Sequence, residues 1–322
     1  MPRSVLVTGG AGFIGSHVCE QLLTRGDEVI CLDNLDEYYD PEIKKSHLDH
    51  LSQHPGFTFL MGDIRDGNLL EQIAKNHPID GIVHLAARAG VRPSIQEPSL
   101  YVDVNLNGTT QLLEMARNHS IDQFVFASSS SVYGDRNTVP FHESDPVDKP
   151  VSPYAATKKA GEVLCHAFHH LHGINIFCLR YFTVYGPRQR PEMAIHRFTS
   201  MIQQGLAIPM FGDGSMERDF TYIDDIVNGT INALDRVNGF EVLNLGNHRS
   251  IRLDKLIELI GTACGKEVLI DRQPAPAGDV SKTCASIDKA REILGYDPAT
   301  TIESGIEKFV AWFDTKQEKY HC

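Results

Sequence analysis

With 322 residues, 42% hydrophobic and 22% charged, the chain has the size and balance of a globular protein that can bury a large core. A net charge of −12 argues against a nucleic-acid or anionic-membrane surface, and no apolar run approaches the roughly 20 residues of a membrane span. Seven cysteines without a Cys-x-x-Cys pair suit a reducing compartment. The first strand begins too early to leave room for a signal peptide, so a soluble cytoplasmic protein is expected.

Residues 4–7 read as a short buried strand, and 13–25 carry Ile14, Val18 and Leu22 at helical spacing. Between them, Thr8-Gly9-Gly10-Ala11-Gly12-Phe13-Ile14-Gly15 places glycines where a strand turns into a helix. Glycines there permit a tight turn, close backbone approach to a pyrophosphate and close helix packing. The helix N-terminus adds free N–H groups for phosphate. A second apolar run, 29–32, ends in Asp33, 21 residues past Gly12. A carboxylate there accepts a hydrogen bond from an adenosine ribose and repels a 2′-phosphate, which favours NAD over NADP. Gly9, Gly12, Phe13, Ile14, Gly15, Asp33 and Asn34 are therefore expected to hold a dinucleotide.

After the second strand the sequence reads as a polar loop. Strands follow at 58–61, 81–85, 123–128 and 174–179, with helices at 69–76, 100–118 and 154–172. This alternation implies an α/β fold, a doubly wound parallel sheet of the Rossmann type, whose ligands sit beyond the carboxyl ends of the strands. Asp63, Ile64, Leu85, Ala86, Ala87, the serines at 128–131 and residues 180–185 stand at those ends. Past about residue 180 the rhythm changes: prolines and the Gly212-Asp213-Gly214 turn surround helices expected at 195–204, 223–237, 253–264 and 302–313. We read residues 1–180 as an NAD-binding domain and 181–322 as a smaller C-terminal α/β substrate-binding domain, with the chain free to cross back.

Tyr154-Ala155-Ala156-Thr157-Lys158 follows Pro153, which suits a helix start. Tyrosine and lysine four apart share a helical face, and the ammonium can pull the phenol's pKa toward the range of a general base. The pair alone is weak evidence. Its place, opening the helix after the fifth parallel strand and beside the serine run, strengthens it.

Together, the glycine turn, the serine run and Tyr154-x-x-x-Lys158 resemble an extended short-chain dehydrogenase/reductase of the nucleotide-sugar epimerase type. The similarity spans essentially the whole chain. It implies that Tyr154 is the base, that Lys158 holds the nicotinamide ribose and that Ser129, three residues before Val132-Tyr133-Gly134, bonds the sugar's 4-oxygen. Dehydratases and UDP-glucuronate decarboxylases of similar fold carry a Glu just before that Val, where this chain has Ser131. Elimination and decarboxylation are thereby disfavoured, which leaves C4 oxidation, rotation of the keto-sugar and re-reduction.

Residues 33–40, 89–92 and above all 180–191 resemble UDP-glucuronate 4-epimerases more than UDP-galactose 4-epimerases, which place Asn where this chain has Thr183. Short hydroxyls (Ser130, Ser131, Thr183) with a nearby arginine would satisfy a desolvated uronate carboxylate. Arg190 and Arg218 are assigned to the UDP diphosphate, with Arg92 as a further candidate. Phe211 matches the family's uracil segment and Asp279 a ribose contact. Pro93, Ala277 and Ser286 depart from the family pattern, where Tyr, Pro and Asp are usual.

The histidines at 166, 169, 170 and 172 are expected to be ordinary helix residues rather than metal ligands. The helices over 100–118 and 154–172 match those that pair subunits in the family, so the resemblance implies a homodimer. The expected partner is a UDP-sugar, with neither nucleic acid nor membrane. The rival readings are an epimerase for neutral UDP-hexoses or UDP-N-acetylhexosamines, a UDP-glucuronate decarboxylase, and a silent NAD-binding regulator.

Overall fold

The computed structural model describes residues 2–136, 138–274 and 281–320, the last five by their backbone. Elements run in the order β1 (Ser4–Thr8), α1 (Phe13–Arg25), β2 (Glu28–Asp33), α2 (Pro41–Leu51), β3 (Phe57–Met61), α3 (Gly67–Asn76) and β4 (Gly81–His84). Next come α4 (Val91–Gln96), α5 (Pro98–Val102), a π-helical turn (Asp103–Asn107), α6 (Gly108–Asn118), β5 (Gln123–Ser129), α7 (Pro153–His172), β6 (Asn175–Tyr181) and β7 (Thr183–Tyr185). The remainder is α8 (Ala194–Gln203), β8 (Ile208–Phe211), β9 (Glu217–Tyr222), α9 (Ile223–Arg236), β10 (Phe240–Leu245), β11 (Ser250–Arg252), α10 (Leu253–Cys264), β12 (Ile270–Gln273), α11 (Asp288–Leu294) and α12 (Ile302–Tyr320).

Seven parallel strands form the main sheet in the order β10-β6-β5-β4-β1-β2-β3. Strand β1 lies between β2 and β4, so the order reverses there and the crevice opens beyond the carboxyl ends of β1 and β4. Side chains alternate across the sheet. Val5, Val7, Cys31 and Val83 join one core layer with α1 and α9, while Leu6, Ile30, Ile82 and Phe124 join the other with α3 and α6. Both faces are covered, which is the environment a parallel sheet requires. The chain does cross back: β10 completes the main sheet beside β6, and α9 packs against α1. Two small sheets, β11-β9-β7 and β12-β8, build the rest of the second segment.

Two local readings change. The loop expected after β2 contains α2, which Asp40 caps by accepting from Glu42 N at 2.9 Å, with Pro41 in its first turn. The single helix expected over 100–118 is interrupted by the π-helical turn. That turn carries buried Asn105, which bonds both backbone groups of Arg88 (2.8 and 3.0 Å) and Thr157 Oγ1 on α7 (3.0 Å). The extra residue per turn thus aims one side chain at the loop after β4.

Candidate active site

Strand β1 ends in a glycine turn whose shape depends on missing side chains. Gly9 has φ +70°, and a Cβ there would lie 2.7 Å from Ala86 N, so the turns after β1 and β4 touch at the switch point. A Cβ on Gly15 would lie 2.1 Å from Gly9 O. Helix α1 begins after Gly12 without a side-chain cap, and Gly9, Gly12, Phe13, Ile14 and Gly15 all line the cleft. A glycine cradle facing an uncapped helix start fits a dinucleotide pyrophosphate.

At the end of β2, Asp33 accepts from Ala11 N (3.2 Å) and Leu35 N (2.9 Å), with Lys44 Nζ 3.9 Å away. Burial raises the Asp33 carboxyl and lowers the Lys44 ammonium, each partly offset by the other's charge. Asn34 donates to Asp63 (2.9 Å), and Arg65 grips the same carboxylate through Nε and a terminal nitrogen (2.9 and 2.8 Å). Those hydrogen bonds hold Asp63 down at about 2. Ile64, Leu85, Ala86 and Ala87 complete this wall. Beneath it, the buried chain Thr8–His84–Thr109 (2.8 and 2.9 Å) fixes the end of β4, and Thr8 Oγ1 accepts from Ala86 N at 3.3 Å.

The other half of the cleft, about 380 Å³ in all, holds Ser129, Tyr154 and Lys158. Ser152 caps α7 through Ala155 N (3.2 Å), which places Tyr154 in the first turn with its hydroxyl hydrogen-bonded to Ser129. Burial raises the Tyr154 phenol, while the Ser129 bond and the Arg190 charge lower it. Lys158, expected to do that lowering, is instead turned to Ala127 O (2.7 Å) above the Phe126 ring, and burial pushes it down to about 8. The difference is geometric: one turn further along α7, the lysine reaches the end of β5 rather than the phenol.

Ser130, Ser131 and Thr183 line the cleft half-buried, and among the described residues their hydroxyls have no protein hydrogen-bond partner. Arg190 lines it too, 3.3 Å from Glu192 and 5.7 Å from the centre of the Tyr38 ring. Ser128 lines the cleft as well, but its hydroxyl donates to buried Glu162 (2.6 Å), which also takes Arg180 in a two-point ion pair (2.8 and 2.9 Å). Arg180, read as a residue past a strand end, is 2% exposed within β6.

Arg92 and Phe211 meet, guanidinium 5.7 Å from the ring centre, but neither they nor Arg218 line the cleft. Arg218 instead donates to Glu217 O at 2.9 Å. Asp279 lies outside the described residues. The sequence reading missed Asp36, Tyr38, Lys44 and Arg88, all cleft residues. Lys44 stands one helical turn into α2, so recognising that helix was the available signal.

Comparison with known proteins follows the same lines. A family profile described as GDP-mannose 4,6 dehydratase matches residues 6–309. A UDP-glucuronate 4-epimerase of Thermodesulfobacterium geofontis is 44% identical over 308 residues, which cover 95% of each chain. The UDP-glucuronic acid 4-epimerase of Bacillus cereus, solved with UDP-glucuronic acid and NAD, matches with a TM-score of 0.91 at 36% identity, over 97% of this chain and 99% of that one. A UDP-glucose 4-epimerase of Thermotoga maritima, solved with UDP-glucose, matches at 0.90 and 33%, over 98% and 99%.

Proposed function

The chain belongs to the GDP-mannose 4,6 dehydratase family, and from that premise we propose that it is an NAD-dependent 4-epimerase interconverting UDP-glucuronate and UDP-galacturonate. The observation that carries this is the end of the serine run. Position 131 offers a hydroxyl, not a carboxylate, and with Ser130 and Thr183 it gives three cleft-lining hydroxyls without a partner among the described residues. The carboxylates lining the cleft, Asp33, Asp36 and Asp63, all come from the β2 and β3 ends and are held by backbone N–H groups or arginines. Among the described residues that line the cleft, no carboxylate stands at the serine run to carry a 4-keto sugar onward to elimination.

In this reading Gly9, Gly12, Phe13, Ile14 and Gly15 hold the pyrophosphate of NAD. Asp33, Asn34 and Asp63 border its adenosine, and Ala86, Ala87 and Lys158 border its nicotinamide half. Bound NAD would supply the hydride acceptor for the sugar's C4 and, once the keto-sugar has rotated, the hydride for its other face. Tyr154 Oη, bonded to Ser129, takes the proton of the C4 hydroxyl and later gives it back. Ser129 steadies the C4 oxygen. Arg190 and Arg218 are assigned to the diphosphate, with Arg92 as a further candidate, and Phe211 and Asp279 to the uridine. A 4-keto uronate is a β-keto acid that loses CO₂ when its carboxylate stands perpendicular to the carbonyl. Ser130, Ser131 and Thr183 hold the carboxylate out of that orientation.

The test is purified protein with UDP-glucuronate and no added NAD, followed by anomeric proton signals and CO₂. UDP-galacturonate alone is expected. A UDP-pentose with CO₂ would make the protein a decarboxylase, and conversion of neutral UDP-hexoses only would move the substrate class. Thr183→Val and Ser130→Ala should release measurable CO₂ where the parent releases none.

A homodimer and a cytoplasmic setting complete the proposal. Val102 on α5 and Val163 on α7 are 49% and 56% exposed, which supports pairing through these helices, and the six described cysteines are free thiols. Light scattering should give twice the chain mass, reduced to one in Val163→Glu.

A further inference from the structure

Arg88 stands two residues beyond Ala86, at the exit of β4, and nothing in the local sequence marks it. Its backbone is fixed from two sides. Asn105 of the π-helical turn takes both its N–H and its carbonyl, and Tyr101 Oη donates to the next carbonyl, Ala89 O, at 2.7 Å. A backbone held this firmly presents its side chain in one direction.

That side chain reaches back across the sheet. One terminal nitrogen binds Asp36 on the loop after β2, and the other lies 3.4 Å from Glu97. In the strand order, β1 lies between β4 and β2. A link from the end of β4 to the end of β2 must therefore span two inter-strand spacings of about 4.8 Å each, passing over the glycine turn that ends β1. Tyr38 fills the span: its ring centre is 5.0 Å from the Arg88 guanidinium and 5.7 Å from that of Arg190. Arg88 Nε is fully buried among cleft-lining residues and, among the described residues, has no hydrogen-bond partner. Arg88, Asp36 and Tyr38 all line the cleft, so this link forms part of its wall.

We propose that Arg88, locked to Asp36 and stacked on Tyr38, forms a strap over the glycine turn that retains the bound NAD. An epimerase regenerates its NAD in every cycle, so the cofactor has no reason to leave. The strap keeps it in place, while Arg190, 5.7 Å from the centre of the same Tyr38 ring, is assigned to the sugar nucleotide. Arg88 is in this sense a positioning and retention residue; it touches no reacting atom. The inference rests on the NAD-dependent reading above.

The experiment is a chase of protein loaded with radiolabelled NAD by excess unlabelled NAD, with KM for UDP-glucuronate measured in parallel. Arg88→Met should release NAD about tenfold faster than the parent. Arg88→Lys, which keeps the charge but loses the forked donors, should fall between them. Tyr38→Leu should also speed release, whereas Glu97→Gln, which weakens only the long, solvent-exposed contact to Arg88, should leave it within about twofold. Release from Arg88→Met at the parent's rate overturns the proposal. So does a raised KM for UDP-glucuronate with NAD release unchanged, because Arg88 would then serve the sugar. A parent protein that neither carries nor takes up NAD would overturn the functional reading itself, a result separate from either of these.

Discussion

Burial of Lys158 above Phe126, with a single hydrogen bond to Ala127 O, pushes its ammonium down to about 8. The unfolded chain returns it to its ordinary 10.5. Below the folded value both states are charged and the folded protein bears the whole penalty, about 3 kcal/mol. Between the two values only the unfolded chain keeps its proton, so stability rises with pH across that window. Lys158→Met removes the charge and leaves Ala127 O without its donor, a loss of about 1–2 kcal/mol. The NAD-free variant should therefore exceed the parent by about 1–2 kcal/mol in urea melts at pH 7, and lose that margin by pH 10.5. An equal difference at both pH values would show that the ammonium bears no such penalty. Tyr154 titrates in the opposite sense. Burial holds its phenol up, and the Ser129 bond and the Arg190 charge bring it down. Removing either helper raises the phenol further, so the acidic limb of the kcat/KM profile should move to higher pH in Ser129→Ala and in Arg190→Gln. Tyr154→Phe should cut turnover roughly 10²–10⁴-fold with NAD content unchanged.

Among the elements, α7 shows how far a sequence can be read. Its start at Pro153 and its tyrosine–lysine spacing were visible because both are local. Glu162, four residues beyond Lys158 on the same face, was equally visible as a residue, yet its meaning lay in Arg180 on β6, which no local pattern connects to it. The pair is buried, with side chains 1% and 2% exposed. Arg180→Leu leaves the buried carboxylate with only Ser128 and the partly exposed Lys159, 3.3 Å away, and should cost about 3 kcal/mol, read from a denaturant midpoint; Arg180→Leu with Glu162→Met should recover most of it. The glycine turn, β1, α1 and β2 were legible for the same local reason, since apolar period and glycine placement are properties of a few consecutive residues. Helix α2 was lost because its polar composition resembles a loop, although Asp40 before Pro41 is a helix start. The strands β7 to β12 run three to six residues each and carry too little period to register. Arg88 escaped because its partner Asp36 is 52 residues away and only the strand order brings them together.

At the scale of the molecule, the first 180 residues and the segment that follows them are joined by an ion pair as well as through α9 and β10. Arg188, in the segment that carries Thr183 and Arg190, binds Glu20 on α1 at 2.7 Å. It does so with φ +64°, a left-handed conformation that an arginine adopts only when its surroundings impose it. Next to it Gln189 is 2% exposed and donates to Val184 O at 3.2 Å. The ion pair thus holds the 183–190 segment against the helix that begins at the glycine turn, and the backbone strain is the cost of reaching it. Two substitutions separate these terms. Arg188→Ala loses the pair and keeps the left-handed backbone, whereas Arg188→Gly loses the pair and relieves the strain. If the pair only stabilises the fold, Arg188→Gly should be more stable than Arg188→Ala by about 1 kcal/mol and both should keep the parent's kinetics. If the pair aligns the two halves, both variants should share a raised KM for the UDP-sugar and a lowered kcat, whichever is the more stable. The second outcome is expected, because a misplacement of about 1 Å between Tyr154 and the sugar is enough to cost roughly 10²-fold in rate. Glu20→Gln, which removes the partner's charge without touching the strained residue, should reproduce the kinetic defect and leave the Gly–Ala stability difference at position 188 intact.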